Sequence, residues 1–310
     1  KDAGLKIIFT IDFLKPLAEA VEKLSGCRFI SIESLAFERP SMKVMASIAM
    51  NAANLRKHVH PIPQRRDADV AVIMYTSGTS GVPKGVMLTN RNLESNAIDS
   101  CEHAHFNEKT VFLGVLPMFH TLGLMGCLMI PIMLGSKVVY QARFSPVGVF
   151  DLVKKHAIEV LIMVPTMYAH LASAKSGSAA ALASVRIAVS GGEPLPVPLI
   201  EAFQAKYNIT LMEGFGLTET SPIVALNVPW AHKAGSVGKI IPDVQVKTVD
   251  EEGRDLPVGV DGGELYIKGP NVMKGYFNQP ALTEEVLLPP EPDGLRWFKT
   301  GDIARLDEEG

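Results

Sequence analysis

The sequence has few cysteines and no strong excess of either charge. Its 310 residues include three cysteines, Cys27, Cys101 and Cys127, which are widely separated and form no C-x-x-C pair. Such a sparse, odd count argues against a disulfide framework and predicts a reducing, cytoplasmic location. The net charge is −3, from 30 basic and 33 acidic residues that are interspersed along the chain. We therefore expect no nucleic acid partner.

Long uninterrupted apolar runs are also missing. The stretch 111–134 has the length of a membrane span, but Pro117, His120 and Pro131 interrupt it. We therefore predict a buried strand, a loop and a helix there, and no transmembrane segment. The opening residues 1–6 carry no signal-peptide pattern and resemble the interior of a protein.

The sequence does have ample material for a core and a repeated alternation of strands and helices. Hydrophobic residues make up 47% of the chain, which is enough for two or three folding units. Apolar runs separated by helical patterns predict an α/β fold with a mostly parallel sheet that helices cover on both faces. The predicted strands are 70–75, 111–115, 137–140, 160–164, 185–189 and 209–212, and the predicted helices are 90–104, 121–134, 146–156, 166–174 and 196–206.

The pattern changes near residue 230. Residues 244–249 and 264–268 alternate with period two, and turns rich in glycine and proline separate them. This pattern predicts a small antiparallel β module over residues 230–310.

A loop rich in hydroxyls and glycines, Tyr75 to Gly85, follows an apolar run and reads YTSGTSGVPKG. Glycines allow the backbone to close around an anion, hydroxyls donate hydrogen bonds, and a lysine adds charge, so the loop is a candidate polyphosphate site. No Walker register fits it, and the alternative for the loop by itself is a surface turn. The candidate ligands are Thr76, Ser77, Gly78, Thr79, Ser80, Gly81 and Lys84.

Three further motifs follow in order: SGGEPL from Ser190, EGFGLTETSP from Glu213, and KTGD from Lys299. Together with the first loop they resemble the core motifs of the adenylate-forming superfamily, which includes acyl-CoA synthetases, aryl-CoA ligases, luciferases and peptide-synthetase adenylation domains. The resemblance extends from about Lys6 to Gly310. It implies a remnant of a first α/β subdomain over 1–67, an α/β nucleotide- and acyl-binding subdomain over 68–229, and a small antiparallel β-barrel subdomain over 230–310.

The resemblance implies an ATP-dependent reaction in two steps. A carboxylate attacks the α-phosphate of ATP to give an acyl-adenylate and pyrophosphate, and a thiol then takes the acyl group. The segments Thr218–Pro222 and Gly235–Gly238 resemble those of long-chain fatty-acid ligases more than those of aryl ligases. The implied substrates are ATP with Mg²⁺, a fatty acid, and the phosphopantetheine thiol of CoA or of acyl carrier protein. The motifs do not separate these two acceptors, and a lipid substrate leaves peripheral contact with a membrane open.

The resemblance also assigns roles to the residues that would bind adenosine. Phe215, between Gly214 and Gly216, stacks on adenine, and the Gly191-Gly192-Glu193-Pro194 segment forms the opposite wall of the slot; Glu213 opens the Phe215 motif. Asp302 accepts hydrogen bonds from the ribose hydroxyls. Alone, Gly191-Gly192 and Thr300-Gly-Asp302 are each typical of ordinary turns.

The remaining assignments concern the reacting groups. Thr218 donates to the α-phosphate, Glu219 binds Mg²⁺, and His120 lies near the acyl carboxylate and the α-phosphate. A lone histidine in an apolar segment is more often a core residue, and Glu219 alone would be a surface carboxylate. Residues 122–132 could line an acyl tunnel or belong to the core.

Two rival functions stay open at this point: an aryl-CoA ligase, and a binding module without catalytic activity. In the family a hinge and a mobile domain follow, carrying the lysine that drives adenylation, and no residue of this chain is assigned to that lysine. We therefore expect the chain to bind nucleotide and to be a poor catalyst alone.

Overall fold

In the computed structural model, residues 7–10, 21–22, 27–31, 66–76 and 83–309 are described. The chain divides into two compact units, 1–64 and 65–310. In the first unit, β1 (Ile7–Thr10) pairs in parallel with β2 (Arg28–Ser31), with Ile7 opposite Arg28.

A seven-stranded sheet forms the centre of the second unit. Five neighbouring strands run parallel, and two further strands extend one edge, each pairing antiparallel with the strand before it. The parallel strands are β5 (Val111–Gly114), β6 (Lys137–Tyr140), β7 (Val160–Met163), β8 (Ile187–Ser190) and β9 (Met212–Gly216), and the antiparallel ones are β10 (Ile223–Leu226) and β11 (Lys239–Ile240). The predicted large, mostly parallel sheet is confirmed.

Helices connect these strands close to where the sequence predicts them. α1 (Asn90–His103) begins at a capping box, in which Thr89 and Asn92 exchange hydrogen bonds. The helix Pro146–His156 has Ser145 as its N-cap, and the Ser145 hydroxyl accepts a hydrogen bond from the backbone N–H of Gly148. The other bounds are α2 (Thr121–Leu124), α3 (Ile130–Leu134), α4 (Pro146–His156), α5 (Pro165–Ser173), α6 (Val197–Tyr207) and α7 (Pro280–Val286).

Both faces of the parallel sheet are buried. Side chains alternate along each strand, so that Val160 and Ile162 belong to one hydrophobic cluster while Leu161 and Met163 belong to another. α1, α2 and α3 contribute to the first cluster, and α4, α5 and α6 to the second. Because helices cover each face of the sheet, the strands are apolar on both sides.

The segment 111–134 is a strand, a loop and a helix, as predicted. One turn of π-helix, Met125–Met129, joins α2 to α3. In the part of the chain that is described, no helix has both the length and the hydropathy needed to cross a bilayer.

The strand predicted at 70–75 is present, but its expected place in the parallel sheet was wrong. β3 (Val70–Thr76) lies outside the parallel sheet and forms an antiparallel hairpin with β4 (Lys84–Thr89), to which β14 (Gly275–Tyr276) adds a third strand. The segment after the glycine-rich loop is thus a strand, where the sequence predicted only a loop leading to a helix. β3 and β4, which flank the glycine-rich loop, therefore belong to a different sheet from the parallel strands.

The strand predicted at 209–212 begins later, at Met212, and continues through the glycine-rich motif to Gly216. Asn208, in the left-handed region at φ 57°, ends α6 and delays the strand. The two glycines of the motif allow β10 to pack closely, since a Cβ on Gly214 would lie 3.0 Å from Leu226.

Strands also occupy the two segments that alternate with period two. β12 (Gln245–Val249), β13 (Gly263–Lys268) and β15 (Phe298–Ala304) form an open antiparallel sheet of three strands. Closure into a barrel is not observed among the described residues and stays a prediction.

Candidate active site

The loops that follow the parallel strands meet at one cavity of about 160 Å³. They come from the carboxyl ends of β5, β8 and β9, where open α/β sheets bind their ligands. The cavity is lined by eight residues of these loops and strand ends: His120, Thr121, Gly191, Gly192, Gly214, Phe215, Gly216 and Thr218. All except Thr121 were assigned from the sequence, and they come from three separate segments of the chain, 120–121, 191–192 and 214–218.

The glycines of the site are needed for close approach of the backbone. A Cβ on Gly216 would lie 1.9 Å from the carbonyl oxygen of Pro222, so no side chain fits there. A Cβ on Gly191 would lie 3.3 Å from Leu122 and 3.9 Å from the carbonyl oxygen of Gly214, and would therefore narrow the gap between β8 and β9. The absence of side chains leaves a slot beside Phe215 that a flat ring can enter.

Two threonine hydroxyls meet in the cavity. Thr121 Oγ1 lies 3.3 Å from Thr218 Oγ1, and Thr121 is buried at the first turn of α2. His120 precedes it as the N-cap of α2 and is exposed to the cavity mouth. Sequence reasoning missed Thr121, although its position next to His120 was a usable signal.

Buried amides hold the turn that carries Thr218 and Glu219. This turn is a short 3₁₀ segment, Thr218–Thr220. Asn271, which is fully buried, donates to the carbonyl oxygen of Thr220 at 2.9 Å. Asn96, also fully buried, binds the backbone of Ile223. The turn is therefore fixed by α1 on one side and by residues near β14 on the other.

The Glu219 carboxylate accepts a hydrogen bond from Tyr276, with 2.8 Å between Tyr276 Oη and Glu219 Oε1. The Nζ atom of Lys84 lies 5.4 Å from the centroid of the same tyrosine ring. Burial raises the pKa of Tyr276 well above its usual range, and the charge and hydrogen bond of Glu219 raise it further. The phenol therefore stays protonated and acts as the donor. Sequence reasoning missed Tyr276, because it is 57 residues from its partner.

Only the two ends of the glycine-rich loop are among the described residues. Thr76 and Lys84 lie opposite each other in the β3–β4 hairpin. The candidate ligands Ser77, Gly78, Thr79, Ser80 and Gly81 lie outside the described residues.

The structure does not bring every assigned residue to the cavity. Glu193 and Pro194 are exposed and are not among its lining residues. The carboxylate of Glu213 accepts a hydrogen bond from Leu195 N at 3.1 Å, which ties β9 to the turn after β8. Asp302 is exposed on β15, away from the cavity lining. For these four residues, as for those that line the cavity, a ligand role stays a prediction.

The inner part of the cavity is apolar. Of the segment 122–132, Leu122, Gly126 and Ile130 line it, and Gly126 lies in the π-helical turn. They are joined by Phe106, Ile162, Val189 and Leu226. The lining of the cavity thus combines polar side chains, including the two threonines, with a larger number of apolar ones.

A larger cavity, of about 310 Å³, borders the first and shares Phe215 and Ala225 with it. Its other lining residues include Trp230, Lys233 and Arg305. Phe215 is its only residue among those assigned from the sequence, so we place the candidate site in the smaller cavity.

Comparisons with known proteins identify the family of this chain. A family model described as AMP-binding enzyme matches residues 1–277. The chain is 32% identical to a long-chain-fatty-acid–CoA ligase of Bacillus subtilis (strain 168), over all of this chain and 59% of that protein. It is 34% identical to 4-coumarate–CoA ligase 3 of Oryza sativa subsp. japonica, over 78% of this chain and 44% of that protein.

Among solved structures, the crystal structure of ATP-bound MatB from Rhodopseudomonas palustris superposes with a TM-score of 0.81 at 29% identity. That match covers all of this chain and 58% of the MatB chain. The chain thus spans about half the length of the relatives it matches. The family match and the shared fold lead to one conclusion: this chain belongs to the AMP-binding enzyme family.

Proposed function

We propose that the chain is the nucleotide- and acid-binding part of an ATP-dependent ligase that joins a fatty acid to the thiol of CoA. The observation that carries this proposal is the single cavity with a glycine-walled slot beside Phe215 at its mouth and an apolar interior. A nucleotide and an aliphatic acid bound there would meet next to Thr218 and His120. The similarity to ligases named for long-chain fatty acids and for CoA supports the same assignment.

The residues present fit a divalent cation bound together with a nucleotide. Glu219 offers the hard oxygen ligand that Mg²⁺ prefers, and Tyr276 occupies only one of its two carboxylate oxygens. Within the described ranges, no group of three or more His, Cys, Asp or Glu is placed to hold a metal ion alone. One carboxylate plus substrate phosphates is the usual arrangement for Mg²⁺ in such sites. A bound Mg²⁺ would supply positive charge that neutralises the phosphate oxygens.

In the first step, a carboxylate oxygen of the acid bonds to the α-phosphorus, and the bond from that phosphorus to pyrophosphate breaks. Thr218, placed by the fixed 3₁₀ turn, donates a hydrogen bond to an α-phosphate oxygen, where negative charge develops. Thr121 orients that hydroxyl from 3.3 Å away. Phe215 stacks on the adenine, and Lys84 adds positive charge on the phosphate side.

In the second step, the thiol sulfur bonds to the acyl carbon, AMP leaves, and the thiol gives up its proton. The apolar interior formed by Phe106, Ile130 and Ile162 keeps water from the acyl chain. Exclusion of water protects the reactive adenylate from hydrolysis.

Several finer assignments belong to this proposal. The antiparallel sheet of β12, β13 and β15 would be part of a β-barrel subdomain within 230–310, next to an α/β subdomain within 68–229. Asp302 would bind ribose, Gly191–Pro194 would form one wall of the adenine slot, and the enzyme would act in the cytoplasm.

The test is binding of non-hydrolysable acyl-AMP mimics, followed as a thermal shift. The mimics range from acetyl to palmitoyl, with one aryl member. Stabilisation grows with the ratio of ligand concentration to Kd, so the shift should rise with aliphatic length. A Phe215→Leu variant should lose most of the shift, whereas Phe119→Leu, on a ring that is 84% exposed, should keep it.

If the aryl mimic gives a larger thermal shift than every aliphatic one, the acid substrate is aromatic and not a fatty acid. No shift for any mimic, with a folded chain, would refute the proposed site.

A further inference from the structure

Tyr276 lies near the site, and burial and backbone hydrogen bonds hold it in place. It is only 4% exposed. Its backbone pairs with Val86 of β4, and its N–H donates to the hydroxyl of Thr283 at 2.9 Å. The next residue, Phe277, donates to the carbonyl oxygen of Gly85 at 2.7 Å. The ring therefore has little freedom to move.

The segment around Tyr276 holds Glu219 at two points. The N–H of Met273 donates to the Glu219 carbonyl oxygen at 2.8 Å, and the Tyr276 phenol donates to Oε1 at the same distance. Both the backbone and the carboxylate of Glu219 are thus fixed by one short stretch of chain. A hydrogen bond to an ionised carboxylate is among the stronger ones in proteins.

The same ring also contacts the other charged group of the site. Lys84 Nζ lies 5.4 Å from the ring centroid, within the range of a cation–π interaction. Lys84 begins β4, directly after the glycine-rich loop. One side chain therefore contacts both the candidate cation ligand, in the Thr218–Thr220 turn, and the candidate phosphate-binding lysine, in β4.

We propose that Tyr276 is a positioning residue that aligns Glu219 for Mg²⁺ and Lys84 for phosphate. Its hydroxyl orients the carboxylate by engaging Oε1, which leaves Oε2 to the cation. Its ring supports the lysine ammonium. This inference rests on the proposed function, because it assumes that Glu219 and Lys84 serve a magnesium–nucleotide complex.

The hydroxyl and the ring can be tested separately. Tyr276→Phe removes only the hydroxyl, and Tyr276→Leu removes the ring as well. The measurements are electron paramagnetic resonance titration of Mn²⁺ into the protein with a non-hydrolysable ATP analogue, and calorimetric binding of the analogue in EDTA. Loss of a hydrogen bond to a metal ligand typically weakens metal binding by about 10- to 100-fold.

We expect Tyr276→Phe to weaken Mn²⁺ binding by about 10-fold and to leave binding of the analogue in EDTA unchanged. Tyr276→Leu should weaken both, because Lys84 loses its support. The matched control is Tyr207→Phe, which also removes a buried phenol hydrogen bond, to the carbonyl oxygen of Leu171 in α5. It should lower stability without changing either binding constant.

The outcomes separate this inference from the proposed function. If the unmodified chain binds no analogue, the proposed function fails. If it binds the analogue and Mn²⁺, and Tyr276→Phe binds both equally well, the inference is overturned and the proposed function stands. If a variant does not fold, 3-fluorotyrosine at position 276 replaces it: its ¹⁹F resonance should shift when Mg²⁺ is added to the analogue complex, and an unchanged resonance overturns the inference.

Discussion

Asn96 exchanges two hydrogen bonds with the backbone of Ile223: its amide donates to the carbonyl oxygen at 2.7 Å, and its side-chain oxygen accepts from the N–H at 3.1 Å. The Asn96 side chain, on α1, thus makes the pair of hydrogen bonds that the backbone of a neighbouring strand would make with the first residue of β10. The two residues are 127 positions apart in sequence. The contact joins α1 to the end of the turn that carries Thr218 and Glu219.

We predict that Asn96→Ala lowers the free energy of unfolding by about 2 kcal/mol, because the N–H of Ile223 loses its partner and its carbonyl oxygen keeps only the longer hydrogen bond from Asn271, at 3.4 Å. Urea denaturation measures this change. The control is Glu94→Ala on the same helix, where an exposed side chain is removed and a change within about 0.5 kcal/mol is expected. Equal effects of the two substitutions would contradict a special role for Asn96.

Gly126 should limit the length of the acyl chain. A Cβ at this position would lie 2.6 Å from Ile162 Cδ1, and both residues line the apolar interior. We expect Gly126→Val to weaken binding of the palmitoyl-AMP mimic by at least about 10-fold, on the scale of a few lost methylene contacts, while the acetyl mimic binds as before. Calorimetry with both mimics measures the difference.

Restoring the space provides the control for that prediction. In Gly126→Ala/Ile162→Val, the second change removes the methyl group that the first would strike, so palmitoyl binding should recover relative to Gly126→Ala. Equal losses for long and short mimics would show that the substitution acts through stability instead of chain length.

Asp99 should make the protein less stable as the pH rises. Its carboxylate is 3% exposed, and its Oδ2 has no hydrogen-bond partner among the described residues. Burial, followed by the negative charges of Asp243 and Glu102, raises its pKa from 3.8 to about 7. Between these two pKa values the folded state keeps a proton that the unfolded state has lost. The free energy of unfolding therefore falls as the pH rises from about 4 to about 7.

The measurement is urea denaturation of the original protein and Asp99→Asn at pH 5 and pH 8. The stability of the original should fall more between these values, by up to about 3 kcal/mol. Glu94→Gln, on the exposed face of α1, should keep the original slope. A parallel pH dependence for the original and Asp99→Asn would show that Asp99 is ionised in the folded protein.

Lys268 should protect the antiparallel module against acid. Its Nζ lies 2.5 Å from Glu291 and 3.0 Å from Asp293, and 5.4 Å from the centroid of the Trp297 ring. Hydrogen bonds from Lys268 and Trp297 lower the pKa of Glu291. The backbone of Leu295, and then Lys268, lower that of Asp293. Depressed carboxylate pKa values stabilise the fold above pH 4, and this contribution is lost as the pH falls.

We expect Lys268→Met to lower the Tm at pH 7 and to flatten its dependence on pH between 5 and 3. Lys247→Met is the control, because Lys247 also contacts the Trp297 ring, at 4.8 Å, but pairs with Asp255. Both variants should change tryptophan fluorescence, and only Lys268→Met should change the acid response. An unaltered acid response in Lys268→Met would contradict the assignment.

The parts of the fold with a local signal could be predicted from the sequence. The parallel strands and their helices follow the apolar and helical patterns closely, because both faces of the sheet are buried. The β3–β4 hairpin was missed, since its connection is a glycine-rich loop that also fits a phosphate site. Pairing partners of such strands depend on distant chain segments, as the addition of Gly275–Tyr276 to β4 demonstrates.

The same distinction holds for the site. His120, Gly191, Phe215 and Thr218 could be assigned because each belongs to a recognisable motif. The contact of Tyr276 with Glu219 could not, because nothing in the residues beside either one indicates the other. Buried amides such as Asn271 give no sequence signal at all, since asparagine is common in exposed turns.

Three of the hydrogen bonds that hold the 218–223 turn join residues 51, 57 and 127 positions apart in the chain. Loops of that length must close before such contacts can contribute, which makes them slow to form. During synthesis and refolding, we therefore expect the turn to reach its final structure only after the segment ending at Tyr276 has paired with β4. Binding competence should appear as one of the last events of folding, well after the parallel sheet has gained its helices.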